Sequence, residues 1–272
     1  MQDLDYPNKR LLLVDNGSVD RTVETVKENF PEVEILVNES NLGFGAGINV
    51  GMKYALVEEA DYILLLNNDT TIKSDALNKL VSSMGIDIGM VAPKIYYAED
   101  PTRIWSIGGR RHWLTNENVG DVRGQIDKGQ GTKELERDYV AGCAILLSRQ
   151  FLENIGLFDE RFFMYYEDSD LSLRARDAGY RLLLSPDAHV WHKVAMSSGG
   201  FDSPNERYWM ARSSVLFYRK HIHGLRWLII IPYRLASAIK TVTRLIVNGQ
   251  NSSVSPYLGG LKDGLNDARN SR

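Results

Sequence analysis

Three acidic residues stand together in Phe162-Phe-Met-Tyr-Tyr-Glu-Asp-Ser-Asp-Leu-Ser-Leu-Arg174, directly after an aromatic run and where a helix is predicted to begin. A carboxylate in such a place can take a proton from a hydroxyl, but acids in a first turn also stabilise a helix through its dipole. The two uses oppose each other. The dipole lowers a carboxyl pKa, whereas a base gains from a raised one, so burial or neighbouring negative charge has to supply the difference. Asp69, in Leu66-Asn-Asn-Asp69, follows an apolar run. As a hard oxygen ligand it suits a divalent cation bound through one or two carboxylates plus substrate phosphates; a turn or cap role fits it equally. Asp15, in Val14-Asp-Asn-Gly-Ser-Val-Asp20, ends another apolar run, where a carboxylate can accept a hydrogen bond from the base or sugar ring of a nucleotide. Asx-Gly pairs are also common turn formers, and Asp20 reads as a helix cap. His192, in Ala188-His-Val-Trp-His192, offers an imidazole to a metal or serves structurally, and His189 is the weaker candidate.

Asn41-Leu-Gly-Phe-Gly-Ala-Gly-Ile-Asn-Val-Gly51 has the look of a phosphate loop. It fits neither the dinucleotide fingerprint, since Ile48 stands where the last glycine belongs, nor the P-loop, which needs Gly-Lys. Its glycines suit close packing at a helix start, which also brings backbone N–H groups near a ligand. The single cysteine, Cys143, lies in an apolar run, so no disulfide within the chain and no cysteine metal site is expected, only a buried, inert thiol.

The elements that would position these residues alternate. Short apolar, β-prone runs at Lys9–Asp15, Val33–Val37 and Asp61–Asn67 each end in a polar turn, with helical spacing at Asp20–Asn29, Gly45–Ala60 and Ser74–Met84 between and after them. Strands alternating with helices predict a mostly parallel α/β sheet, whose ligands bind at the carboxyl ends of the strands. Asp15 and Asp69 both fall there. Beyond Ala92 shorter β-like pieces follow, with a polar loop over Thr115–Gly131, a strand over Tyr139–Ser148, a helix over Glu167–Ala178, strands at Tyr180–Ser185 and His189–His192, and two helices separated near Gly224.

Composition narrows the partners. The 272 residues carry 32 Lys plus Arg against 35 Asp plus Glu, a net charge of -3 that gives no reason to expect nucleic acid. The first seven residues lack the apolar stretch of a signal peptide, and Trp227–Tyr233 is too short to span a bilayer, so a cytoplasmic catalytic part is expected.

Taken in order, Val14–Asp20, Asn41–Asn49, Leu66–Asp69, Gly142, Phe158–Phe163, Glu167-Asp168 and His192 resemble family 2 glycosyltransferases, closest to their rhamnosyltransferase-like branch, over about Leu4–Ser198. The resemblance implies the GT-A fold, a nucleotide-diphospho-sugar donor, Mg2+ or Mn2+, and single-sugar transfer to a saccharide or lipid-linked acceptor with inversion. By position, Asp15 would contact the nucleotide base, Asp69 would be the metal carboxylate of the DXD-like motif, His192 would help bind metal or diphosphate, Gly142 would line the sugar pocket and Asp168 would deprotonate the acceptor. The implied substrate contacts extend to Asn16, Asn41, Gly43, Asn49, Asn67, Asn68, Glu167 and Arg174.

The sequence departs from the family at one place. Members begin with a strand and helix for which this chain shows only the helix end, Leu4–Lys9, so the expectation is a catalytic domain over residues 1–204 that is N-terminally incomplete, or another element in that sheet position. A nucleotide-sugar-binding homologue without turnover is the alternative that follows. Residues 205–272 read as a helical extension. No Gln-x-x-Arg-Trp signature of processive synthases occurs there, and basic residues interleave with apolar ones over 205–248. That pattern suits peripheral contact with the inner face of an anionic membrane; packing against the catalytic domain or a second subunit of a homodimer explains it equally.

Overall fold

The computed structural model describes residues 4–119, 122–194 and 200–270. The expectations for residues 1–3, for 120–121 of the polar loop and for 195–198 lie outside them. The chain divides into two units: Met1–Arg111 with Glu117–Glu160 and Glu167–Val194, and a second unit of His112–Asn116, Arg161–Tyr166 and Ala195–Arg272. The division thus differs from a single cut at 204/205, because two short internal segments join the C-terminal helices.

In the first unit, β1 (Leu12–Asp15), α1 (Thr22–Asn29), β2 (Glu34–Val37), α2 (Phe44–Val57) and β3 (Tyr62–Leu66) follow in the alternation read from the sequence. Then come β4 (Thr70–Ile72), α3 (Ala76–Ser82), β5 (Ile88–Tyr97), β6 (Ile104–Ser106), β7 (Arg110–Arg111), β8 (Asn118–Val119), β9 (Leu135–Arg137) and β10 (Ala144–Ser148). The unit closes with α4 (Arg149–Ile155), α5 (Glu167–Asp177) and β11 (Arg181–His192).

The main sheet has the order β3-β10-β5-β11-β4, with β6 on β5 and β9 on β11, while β1 pairs in parallel with β2 in a sheet of its own. Among the described residues no other strand pairs with β1. Strands β5 and β11 are parallel and β3 points the same way, but β10 runs antiparallel between β3 and β5, and β4, β6 and β9 are also antiparallel, so the sheet is mixed. Its central strands are buried end to end, as the apolar runs require of a sheet covered on both faces. One layer of core gathers Met90, Leu147, Phe151, Leu152 and Leu171; the other gathers Leu77, Leu80, Val91, Leu146 and Leu183.

Three boundaries differ from expectation for physical reasons. The runs at 180–185 and 189–192 form one strand, whose register on β5 shifts between Ser185 and His189, where Pro186 has no N–H to give the ladder. The strand expected from Tyr139 begins only at Ala144, because Gly142 and Cys143 form a turn. Asp20 bonds the N–H and hydroxyl of Thr22 just ahead of α1, at 2.9 and 2.5 Å, while the residue at the helix boundary is Arg21.

In the second unit, α6 (Pro204–His221), α7 (Trp227–Val247) and α8 (Val254–Asn270) follow one another. Ser203 caps α6 by accepting the Glu206 N–H at 3.1 Å. Helix α8 adds a third helix to the two expected in this extension, and it contains Gly259, Gly260 and Gly264. Two of these are contact points: a Cβ on Gly260 or Gly264 would strike the backbone carbonyl of Tyr208 or Arg212, so they allow α6 and α8 to cross closely.

The tightness of the sheet cover is measurable at Gly89, where an added Cβ would lie 2.6 Å from a ring carbon of the fully buried Phe151. Gly89→Ala is expected to lower the unfolding free energy by about 1–3 kcal/mol in urea titration, the usual cost of overpacking a close-packed core.

Candidate active site

The centre of the site is the Gly142-Cys143 turn ahead of β10. Leaving the sheet ladder frees the Gly142 N–H, which donates to Asp168 Oδ2 at 3.0 Å; the Tyr139 hydroxyl donates to the same oxygen at 2.8 Å. The other oxygen, Oδ1, accepts the Ser169 N–H at 2.7 Å. Asp168 lies in the first turn of α5, and the two residues that lead into that helix, Tyr165 and Tyr166, have φ of +66° and +69°. Consecutive left-handed non-glycine residues are strained, and such strain concentrates at functional sites.

Burial pushes the Asp168 carboxyl above its ordinary value, although the bonds from Gly142, Tyr139 and Ser169 favour the ionised form. Glu167 is pushed much higher, by burial and then by the charge of Asp168, and its Oε2 is buried with no hydrogen-bond partner. The two neighbours therefore release their protons as a coupled pair. Tyr139 is held in its neutral, donating form by burial and by the Asp168 charge. This is the compensation that the helix dipole alone would deny a base.

The second carboxylate arrives through strand register. Thr70 of β4 stands opposite His192 of β11, which brings His192 Nε2 to 3.2 Å from Asp69 Oδ1. The approach is within ion-pair range but out of line for a hydrogen bond, so Asp69 Oδ1 remains an unsatisfied buried oxygen, as does His192 Nδ1 among the nitrogens. Trp105 closes one side, its ring edge-on to the imidazole at 4.7 Å between centroids. The Asn67 N–H donates to Cys143 O at 2.9 Å, so the same turn that holds Asp168 also anchors the end of β3. Burial and then the charges of Asp168 and Asp69 push the Cys143 thiol far above its usual value, leaving a protonated, inert group between the two carboxylates.

Among the described residues no cluster of three or more His, Cys, Asp or Glu forms a metal cage. Asp69 and His192 fit a cation that completes its shell with diphosphate oxygens: one hard oxygen and one imidazole, both buried and lacking an aligned partner.

The remaining candidates separate into two groups. Asp15 is buried at the end of β1, with Oδ2 accepting the Ser18 N–H at 3.1 Å. Asn16 donates to Asn41 Oδ1 and Gly43 O and accepts from Asn38 and from the Leu42 N–H, each at 3.0–3.1 Å. It thereby fastens the loop before α2 to the loop after β1, and Gly43, with φ of +86°, makes the bend into α2. Asn67 is half-buried and Asn68 exposed beside Asp69. Asn49 and Arg174 stand apart from the expected substrate contact. Asn49 is held by both polar atoms to the Phe158 backbone, and Arg174 gives its donors to Asp170 and to the carbonyls of Ile155 and Leu157. Both residues secure the chain after α4.

Sequence reading missed Tyr139, Arg111 and Trp105. Arg111 donates to Ser169 O at 3.0 Å, next to Asp168. No local motif marks these residues, because only the tertiary fold brings them to α5 and β11.

Comparison with known proteins bears on this geometry. A sequence model described as glycosyl transferase family 2 matches residues 1–156, more than half of the chain. The chain belongs to glycosyl transferase family 2. It is 23% identical over 229 residues to a dTDP-rhamnosyl transferase, RfbF, of Shigella flexneri, covering 80% of this chain and 74% of the relative. It is 28% identical over 211 residues to an N-acetylglucosaminyl-diphospho-decaprenol L-rhamnosyltransferase of Mycobacterium tuberculosis, covering 70% and 68%. These relatives agree with the rhamnosyltransferase-like branch of the family. A mannosyltransferase from Pyrobaculum calidifontis, solved with GDP-Man and Mn2+, superposes with a TM-score of 0.58 at 15% identity, over 98% of this chain and 81% of that one. GalNAc-T7, solved with UDP, GalNAc and Mn2+, gives 0.57 at 18% identity over 77% and 43%. The family 2 chain accordingly has the GT-A fold.

A carboxyl with a raised folded-state pKa binds its proton more tightly folded than unfolded. Its stabilising contribution is present at low pH and is lost as pH rises through the raised value. Relative to wild type, Asp168→Asn should therefore gain melting temperature as pH rises from about 4, the ordinary aspartate value, through the raised one. A difference in melting temperature that stays flat across that range would show that Asp168 ionises normally.

Proposed function

We propose that this family 2 chain is an inverting glycosyltransferase that moves a single sugar from a nucleotide-diphospho-sugar to an acceptor hydroxyl in polysaccharide or glycolipid synthesis. The observation that carries the reading is the Asp168 carboxylate, half-buried and raised yet aligned by Tyr139 and Gly142. A base gains from a raised pKa and a fixed direction, and desolvation together with the Tyr139 and Gly142 donors favours both.

Asp168 takes the acceptor's proton as its oxygen attacks the anomeric carbon in line with the leaving diphosphate. Inversion follows from the single displacement, and no second carboxylate is needed as nucleophile. Asp69 and His192 would hold Mg2+ or Mn2+, whose charge offsets the negative charge gathering on the diphosphate. Asp15 receives the base or ribose of the nucleotide at the carboxyl end of β1. Gly142 leaves room for the sugar: a Cβ there would press on Asp168 at 3.2 Å and narrow the space toward Phe44. Asn16, Asn41 and Gly43 shape the donor loop, and Asn67, Asn68 and Glu167 line the reacting centre. The first unit is the catalytic region, and residues 205–272 belong to the appended helical one. The rhamnosyltransferase names of two relatives make dTDP-rhamnose the first donor to try and a saccharide or lipid-linked saccharide the acceptor.

The test is nucleoside-diphosphate release across a panel of nucleotide sugars with Mn2+ and Mg2+. Asp168→Asn should reduce kcat by about 10²-fold or more while nucleotide affinity stays near wild type. Asp69→Ala should weaken Mn2+-dependent nucleotide binding in calorimetry. Nucleotide-sugar binding by the wild type without release of diphosphate would identify a non-catalytic homologue, and a metal response unchanged in Asp69→Ala would move the cation elsewhere.

A further inference from the structure

Helix α7 wears its apolar side outward. Leu228, Ile231, Leu235, Ile239 and Ile246 recur at three-, four- and seven-residue steps and are 45–80% exposed, with Ile229 and Val247 beside them. The side turned toward the rest of its unit buries Ile230 and Leu245, with Ala238 and Val242 packed beside Leu245, and fixes two cations. Arg234 donates to Ser214 Oγ at 2.6 Å and lies over the Tyr218 ring, and Arg244 forms a two-bond pair with Asp202 at 2.5 and 2.8 Å. An ordinary surface helix keeps its outer side polar, and a continuous exposed apolar strip of this kind marks a place where something binds.

Two further observations say what binds there. The first is Trp113, which is 80% exposed in a short loop held at the start of α7 by Arg226, whose Nη2 donates to Leu114 O at 2.8 Å and to Asn116 Oδ1 at 3.0 Å. Leu225, also at this end, is 82% exposed. A solvent-facing Trp with flanking leucines is costly in water and favourable at a bilayer interface. The second is charge. Residues 200–270 contain ten Lys or Arg and four Asp or Glu, in a chain that is acidic overall. Helix α7 contains no acidic residue, and Lys240 is exposed within its outward strip. A second copy of the chain is a poorer fit. The strip is roughly 30 Å long and one side chain wide, which falls well short of the ~800 Å² per partner of a stable interface.

We infer that α7, with Trp113, is a lipid-docking surface that lies flat on an anionic bilayer. The leucines and isoleucines enter the boundary between headgroups and acyl chains, and Lys240 stays among the headgroup phosphates. Among the described residues no helix is long and apolar enough to cross a membrane, so the contact is peripheral. The arrangement also assigns the basic residues differently from their composition: Arg234 and Arg244 fix the helix with its apolar side out, and the apolar strip carries the attachment.

Co-sedimentation of the full chain with phosphatidylcholine vesicles, with and without phosphatidylglycerol, tests this. Wild type should pellet with the phosphatidylglycerol vesicles. Leu235→Glu/Ile239→Glu, at exposed positions that leave the helix intact by circular dichroism, should weaken partitioning by roughly ten-fold or more. Trp113→Ala, in a loop outside α7, reports independently and should weaken it by roughly three-fold or more. Wild type remaining in the supernatant at low salt would overturn the inference, as would full vesicle binding by both variants. A dimer seen by light scattering that the double glutamate variant splits, with no vesicle binding, would overturn it in favour of self-association.

Discussion

Everything at the candidate site turns on one amide released from the sheet ladder. Were Gly142 part of β10, its N–H would belong to the sheet; because the chain turns at Gly142-Cys143, that N–H points at Asp168 instead. The same turn offers the Cys143 carbonyl to Asn67, fixing the end of β3 from which Asp69 follows. A short break in an otherwise fully buried strand thus sets the position of both carboxylates. Glycine suits it, since an added Cβ would lie 3.2 Å from the Cβ of Asp168 and 3.6 Å from the Phe44 ring.

The rest of the first unit keeps that break in place. Strand β10 is clamped between β3 and β5, and its apolar side chains enter both core layers, so the turn cannot drift along the sheet. Helix α5 is held at its other end by Arg174, whose guanidinium satisfies carbonyls after α4. Burial then does the electrical work. It raises Asp168 and Glu167, and the donors from Tyr139, Gly142 and Ser169 keep the Asp168 rise moderate. An acid raised without donors would stay protonated, and one with donors but fully solvated would be too weak a base.

How much of this the sequence disclosed follows from the range of each interaction. Asp15, Asp69 and the acidic start of α5 were legible because each sits at an element boundary, and boundaries leave local signals such as apolar runs, Asx-Gly turns and first-turn acids. The approach of His192 to Asp69 was implied by family resemblance alone; its cause, the pairing of Thr70 with His192, is a matter of register between distant strands. Tyr139 and Arg111 carry no local mark at all. Asn49 and Arg174 show the converse. Their placement within motifs suggested substrate contact, whereas their hydrogen bonds go to the backbone at and after the end of α4 and to the side chains of Glu160 and Asp170. The antiparallel β10 was hidden for a similar reason, since strand direction is set by connections.

The most direct measurement is the pH dependence of kcat/KM for sugar transfer by wild type and Tyr139→Phe. If Asp168 is the base, the acid limb lies above the ordinary carboxylate range. Removing the Tyr139 donor, one of the interactions that restrain the rise, should move the limb higher still while the Mn2+ response is retained. An acid limb at the usual aspartate value, or one that Tyr139→Phe leaves in place, would contradict the assignment of Asp168 as the group that takes the acceptor's proton.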